Sequence, residues 1–89
     1  MNKYNFYEEQ LRRQLIEAIL QYLEGNTTLQ SVIDLGFTAY NKKISKDSDL
    51  AEVVSQLNAM GYEIVDGKSF PGESINKIFT TMLEKLISD

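Results

Sequence analysis

DSDLAEVVSQLNAMGYEIVD, residues 47–66, is the stretch on which the interpretation of the whole chain depends. The apolar residues of its first part recur at spacings of three and four: Leu50, Val53, Val54, Leu57 and Met60. This spacing predicts an amphipathic helix over 48–60 that is closed by Gly61. Tyr62 and Val65 then favour extended structure, and Asp66-Gly67 is typical of a tight turn. We therefore predict a short extended or hairpin-like segment at 62–70.

Three further segments show the same helical spacing of apolar residues, near 7–24, 28–44 and 72–88. Together with 48–60 they predict a mainly α, small four-helix domain that spans residues 1–89 as a single unit. Gly36 interrupts the second segment, either as a close approach to another helix or as a break into two short helices. The predicted core comprises Leu15, Ile19, Val32, Ile33, Phe37, Val53, Leu57, Ile78, Phe79 and Met82.

The composition argues against most catalytic chemistry. The 89 residues include no cysteine and no histidine, which removes thiolate metal sites, imidazole bases and the usual nucleophile triads. No phosphate-binding loop, dinucleotide fingerprint, calcium loop or zinc spacing occurs. We therefore expect no enzymatic activity, no metal site and no cofactor.

Acidic residues are concentrated in residues 47–66, which carry five acids and no lysine or arginine, whereas the whole chain has a net charge of −4. An acidic surface speeds association with a basic protein partner. We therefore predict a non-enzymatic protein-interaction module, such as a small acidic inhibitor, immunity or regulatory protein of a bacterium or phage. Its predicted contact residues are Asp47, Asp49, Glu52, Tyr62, Glu63 and Asp66. Helix capping is the competing explanation for Asp47, Asp49 and Glu52.

The same charge bears on partners and location. Acidity disfavours nucleic acid and anionic membranes, both of which attract basic surfaces. No stretch has the length and apolarity of a membrane span, and the N-terminus lacks a signal peptide's apolar run, so a cytoplasmic protein is expected. Homodimerisation along the first or last helix is a further alternative.

A nucleic-acid-binding regulator is a second functional hypothesis. Residues 29–44 resemble a helix-turn-helix with Gly36 in the turn, and Lys42, Lys43 and Lys46 would contact the nucleic acid. A helix followed by a hairpin also resembles the winged helix. The acids at the start of the third predicted helix would repel phosphate, which argues against this use.

A third hypothesis comes from the acyl and peptidyl carrier proteins, which carry phosphopantetheine on a serine at the start of a helix. Residues 47–50, DSDL, resemble their DSL motif with one extra residue after the serine, and residues 34–36 and 62–66 are similar to neighbouring stretches. The three pieces do not fit one register, so family membership does not follow. On this alternative Ser48 would be the attachment site.

Overall fold

The computed structural model describes residues 4–40, 44 and 48–88, and in these it contains four helices and no strand. The helices are α1 (Phe6–Leu23), α2 (Leu29–Tyr40), α3 (Asp49–Val65) and α4 (Gly72–Ser88). The prediction of a small, mainly α four-helix domain is confirmed.

Helix α1 has a well-defined start and stop. Asn5 accepts a hydrogen bond from the Glu8 backbone N–H at 2.8 Å, and the Glu8 carboxylate accepts one from the Asn5 N–H at 3.0 Å. This reciprocal capping box satisfies two donors that a helix start otherwise leaves unpaired. At the other end Gly25 has a φ of 83°, and its N–H donates to the Tyr22 carbonyl. Together these caps fix the limits of α1 within one residue of the prediction.

Helix α3 continues through Gly61 to Val65, so the predicted end at Gly61 and the extended or hairpin-like segment at 62–70 are wrong. Gly67, with a φ of 95°, is the residue that ends the helix. The N–H groups of Gly67 and Lys68 donate to the carbonyls of Ile64 and Glu63, which is the Schellman pattern. An Asp-Gly pair provides the positive φ that both a hairpin turn and a helix C-terminus require, and here it serves the helix.

Helix α2 runs without a break through Gly36 and ends at Tyr40. It begins after Thr28, whose hydroxyl accepts from the Ser31 N–H at 3.2 Å. The predicted end at residue 44 is too late, because Ile44 is not helical; residues 41–43 lie outside the described part of the chain. Of the two roles considered for Gly36, close approach of another helix is the one observed.

The four helices pack around one core. Each helix packs mainly against two others: α1 packs against α2 and α4, and α3 packs against α2 and α4. The fully buried side chains include Leu15, Ile19, Val32, Ile33, Val53, Leu57, Phe79 and Met82, as predicted. Phe37 and Ile78 are only half-buried, so they lie at the edge of the core rather than inside it. Phe79 contacts the Tyr22 ring edge-on, with the ring centres 5.1 Å apart.

An ion-pair cluster on α1 ties that helix to the end of α4. Glu9 accepts from Arg12 at 2.8 Å and from Arg13 at 3.0 Å, and Arg12 also donates to the Leu86 carbonyl at 2.7 Å. The hydrogen bonds to Glu9 lower the pKa of its carboxyl from 4.5 to about 2. The bond from Arg12 has the larger effect and the bond from Arg13 the smaller one. Arg12 thereby joins a carboxylate on α1 to the last turn of α4.

The carboxyl resonance of Glu9 is expected to titrate with a midpoint of about 2 in a carbon-detected NMR experiment. Because folding lowers this pKa, the stabilisation from the ionised carboxylate is complete above the unfolded value of 4.5 and is lost as the pH falls through about 2. In Arg12→Gln and Arg13→Gln variants the midpoint should move towards 4.5. A midpoint near 4.5 in the unaltered protein would contradict the observed pairing.

Candidate functional site

The described members of the predicted contact set lie at two separate ends of α3. Asp49 and Glu52 lie in the first turn of α3, whereas Tyr62 and Glu63 lie near its end and Asp66 caps it. At a rise of about 1.5 Å per residue, Glu52 and Glu63 are roughly 16 Å apart along the helix axis. Asp47 lies outside the described residues.

The start of α3 is a capped helix end. Ser48 is 7% exposed, and its hydroxyl accepts from the Ala51 N–H at 3.1 Å. Glu52 accepts from Lys85 of α4 at 2.6 Å, so its charge is paired across two helices. Asp49 and Glu52 are also acids in a first helical turn, where the helix dipole favours negative charge. These observations explain both acids structurally.

Glu63 is also engaged within the chain. Its carboxylate lies 2.7 Å from Lys68 Nζ, and the Lys68 ammonium sits 5.2 Å from the centre of the Phe70 ring. Successive residues of a helix differ by about 100° in direction, so Glu63 points away from Tyr62. The structure therefore separates Glu63 from the aromatic residue that precedes it in the sequence.

Tyr62 instead belongs to an exposed aromatic surface between α2 and α3. Its ring meets that of Phe37 edge-on at 5.8 Å. The residues lining this open depression of about 440 Å³ are Phe37, Tyr40, Asn58, Tyr62 and Val65, which we call the α2–α3 patch. Tyr40 is 52% exposed, Tyr62 63% and Val65 78%. Large apolar side chains this exposed and this close together are typical of an interaction surface.

Two glycines shape the patch from beneath. A Cβ at Gly36 would lie 2.6 Å from Leu57 Cβ, and one at Gly61 would collide with the Phe37 ring. The absence of these side chains lets α2 and α3 approach closely and lets the Phe37 ring lie over Gly61. Phe37 is consequently held half-buried at the base of the patch, with Tyr40, Tyr62 and Val65 more exposed around it.

Sequence reasoning finds Tyr62 and misses the other members of the patch. Asn58, Tyr62 and Val65 are spaced by four and three residues, so they share one helical face once α3 extends past Gly61. Phe37 and Tyr40 belong to one apolar stripe on α2, and the stripe alone does not separate buried from exposed residues. The spacing of Asn58, Tyr62 and Val65 could therefore have identified this face from the sequence. The prediction that the helix ends at Gly61 removes Tyr62 and Val65 from the helix and so hides the pattern.

The α2–α3 patch is lined by aromatic, amide and aliphatic side chains. Within residues 4–40, 44 and 48–88 no three acidic side chains converge in a way that would hold a metal ion. The buried, capping hydroxyl of Ser48 is poorly placed to accept phosphopantetheine, and Lys42, Lys43 and Lys46 lie outside the described residues. Among the described helices, none has the length and apolarity needed to cross a membrane.

Comparison of the chain with protein-family models, curated proteins and solved structures finds no match.

Proposed function

We propose that this protein is a non-enzymatic protein-interaction module that binds its partner through the α2–α3 patch. The observation that carries the proposal is the exposure of Tyr40, Tyr62 and Val65 side by side in one depression. Burying these side chains against a partner would remove apolar surface from water, at roughly 25 cal/mol per Å². Tyrosine is also enriched among the residues that dominate binding energy.

The partner class follows from charge. The chain carries thirteen acids and nine basic residues, and this balance favours association with a protein that presents a basic surface. Small inhibitor, immunity and regulatory proteins of bacteria and phages work in this way, by occupying a partner without chemistry of their own. We propose that role here, with Tyr62 and Asp66 retained from the sequence-based site and Phe37, Tyr40 and Val65 added.

The other predicted acids have a smaller part in this proposal. Glu52 and Glu63 are each paired with a lysine of the same chain, so a partner would have to replace an existing ion pair to use them. Exposed ion pairs contribute about 0–1 kcal/mol, so replacing one brings little gain. The proposal therefore assigns recognition to the aromatic side chains and to Asp66.

Tyr62→Ala is expected to weaken partner binding by at least about tenfold, because it removes an exposed anchor that is aromatic and rigid. The partner would first be isolated by copurification from cells that express the neighbouring genes, and its affinity would then be measured by calorimetry. The matched control is Tyr7→Ala, which removes an equally large, exposed side chain from α1, outside the patch.

Tyr7→Ala should leave the affinity within about twofold of the unaltered protein, since exposed residues away from an interface contribute little. Thermal unfolding of both variants would verify that they are folded. Equal affinities for Tyr62→Ala and Tyr7→Ala would refute the placement of the interface. Concentration-dependent dimerisation that Tyr62→Ala abolishes would show that the patch joins two copies of this chain instead.

A further inference from the structure

The relative direction of α2 and α3 determines which charges border the α2–α3 patch. Gly36 faces Leu57, whereas Ile33, almost one turn earlier, faces Gly61 near the end of α3. The two helices are therefore antiparallel. The first half of α2 therefore lies beside the last turns of α3, and an acid in each of these two regions lies one helical turn beyond the patch lining, towards the same end.

Those acids are Asp34 and Asp66, both exposed. Asp34 lies one turn before Phe37, and Asp66 lies one turn after Tyr62. Asp34 accepts a hydrogen bond from the uncharged Gln30 side-chain amide at 2.7 Å. Neither carboxylate forms an ion pair with a residue in the described part of the chain, unlike Glu52 and Glu63. The patch is thus an apolar groove, and two acids that have no ion-pair partner in the described part of the chain lie one turn beyond its lining, towards one end.

The length of the groove along α3 matches a short segment of a docked helix. Asn58 and Val65 mark its length along α3, and seven residues of helix correspond to about 10 Å. Two turns of a docked helix cover the same length and present apolar side chains at positions i, i+3 or i+4, and i+7. The surface between two packed helices is also a natural seat for the ridge of a third.

We propose that the occupant of the α2–α3 patch is an amphipathic helix of the partner protein, with lysine or arginine beside its apolar face. This inference rests on the proposed function and specifies its partner. Two or three apolar side chains of that helix enter the groove between Phe37, Tyr40, Tyr62 and Val65. Its basic side chains meet Asp34 and Asp66 at the open end, which fixes the orientation of the bound helix.

A display library of random 16-residue peptides tests this without requiring the natural partner. Peptides are selected on the intact protein and counter-selected on Tyr62→Ala. The expected result is enrichment of sequences with apolar residues at i, i+3 or i+4, and i+7 and with lysine or arginine next to them. Enrichment of proline-rich or acidic sequences, or of none that depend on Tyr62, overturns the proposal.

Charge-reversal variants distinguish a local effect of Asp34 and Asp66 on binding from the effect of the protein's net charge. Asp34→Lys with Asp66→Lys should weaken the best enriched peptide by about tenfold at low salt, and the effect should shrink as salt screens it. The control pair Glu17→Lys and Glu84→Lys changes the net charge equally on exposed sites of α1 and α4. It should alter the affinity by less than about twofold, since these sites lie outside the groove. Equal losses in both pairs overturn the assignment of Asp34 and Asp66.

The two proposals fail in different ways. If the natural partner binds through Tyr62 but the selected peptides are neither helical nor basic, the helix proposal is wrong and the interaction module stands. If the natural partner is insensitive to Tyr62→Ala, the placement of the interface is wrong as well.

Discussion

Replacing Phe79 by alanine is expected to lower the free energy of unfolding by about 4 kcal/mol, within the range of roughly 3–5 kcal/mol for deleting a buried aromatic side chain. Phe79 is fully buried and contacts Tyr22 edge-on, so its loss removes both apolar burial and an aromatic pair. A domain of 89 residues is stable by only about 4–13 kcal/mol. The variant would therefore lose between about a third and all of that stability.

Urea denaturation followed by circular dichroism measures this loss directly. The matched control is Phe6→Ala, because Phe6 is the same residue type and is largely exposed at the start of α1. Its effect should stay within about 0.5 kcal/mol, as is usual for surface positions. A Phe79→Ala variant no less stable than Phe6→Ala would show that Phe79 does not fill the centre of the core.

Gly36→Val is expected to destabilise the protein by about 3 kcal/mol, the upper part of the usual range for overpacking. A Cβ at Gly36 already lies 2.6 Å from Leu57 Cβ, an atom that cannot move without the backbone of α3. The side chain would push α2 away from α3 and open the base of the α2–α3 patch. The better helix propensity of valine recovers only a fraction of this loss.

Thr38→Val is the control, because it introduces the same side chain on the exposed face of α2. Its effect should be within about 0.5 kcal/mol by the same denaturation experiment. Gly61→Ala adds a second comparison, since its Cβ meets the far end of the Phe37 ring, which can turn outward. It should cost less stability than Gly36→Val and displace Phe37 in the patch. Equal stability of Gly36→Val and Thr38→Val would mean that the helices are not in close contact at Gly36.

Much of the fold is predictable from the sequence because burial imposes a repeating pattern. The apolar spacings of α1, α3 and α4 locate these helices, and Gly25 and Gly72 lie within one residue of predicted boundaries. The error at the end of α3 comes from a glycine. Gly61 has a packing role that local propensity does not report, because the reason for it is the Phe37 ring on another helix.

The candidate site is less predictable for the same reason. Counting charges identifies the acids of α3, but the lysines that pair with Glu52 and Glu63 lie outside residues 47–66, Lys85 on α4 and Lys68 just after α3. A helix end placed at Gly61 removes Val65 from the face of Asn58 and Tyr62. Which members of the α2 stripe remain exposed depends on where α3 lies, and that is a property of tertiary packing.

The most direct measurement is a backbone NMR titration of the labelled protein with its isolated partner. The amide signals of Phe37, Tyr40, Asn58, Tyr62 and Val65 should shift or broaden most, because these residues line the α2–α3 patch. The signals of Asp49 and Glu52, at the other end of α3, should change little. If the largest signal changes occurred around Asp49 and Glu52 and the patch signals did not change, the proposed interface would be contradicted. The partner would then bind at the start of α3.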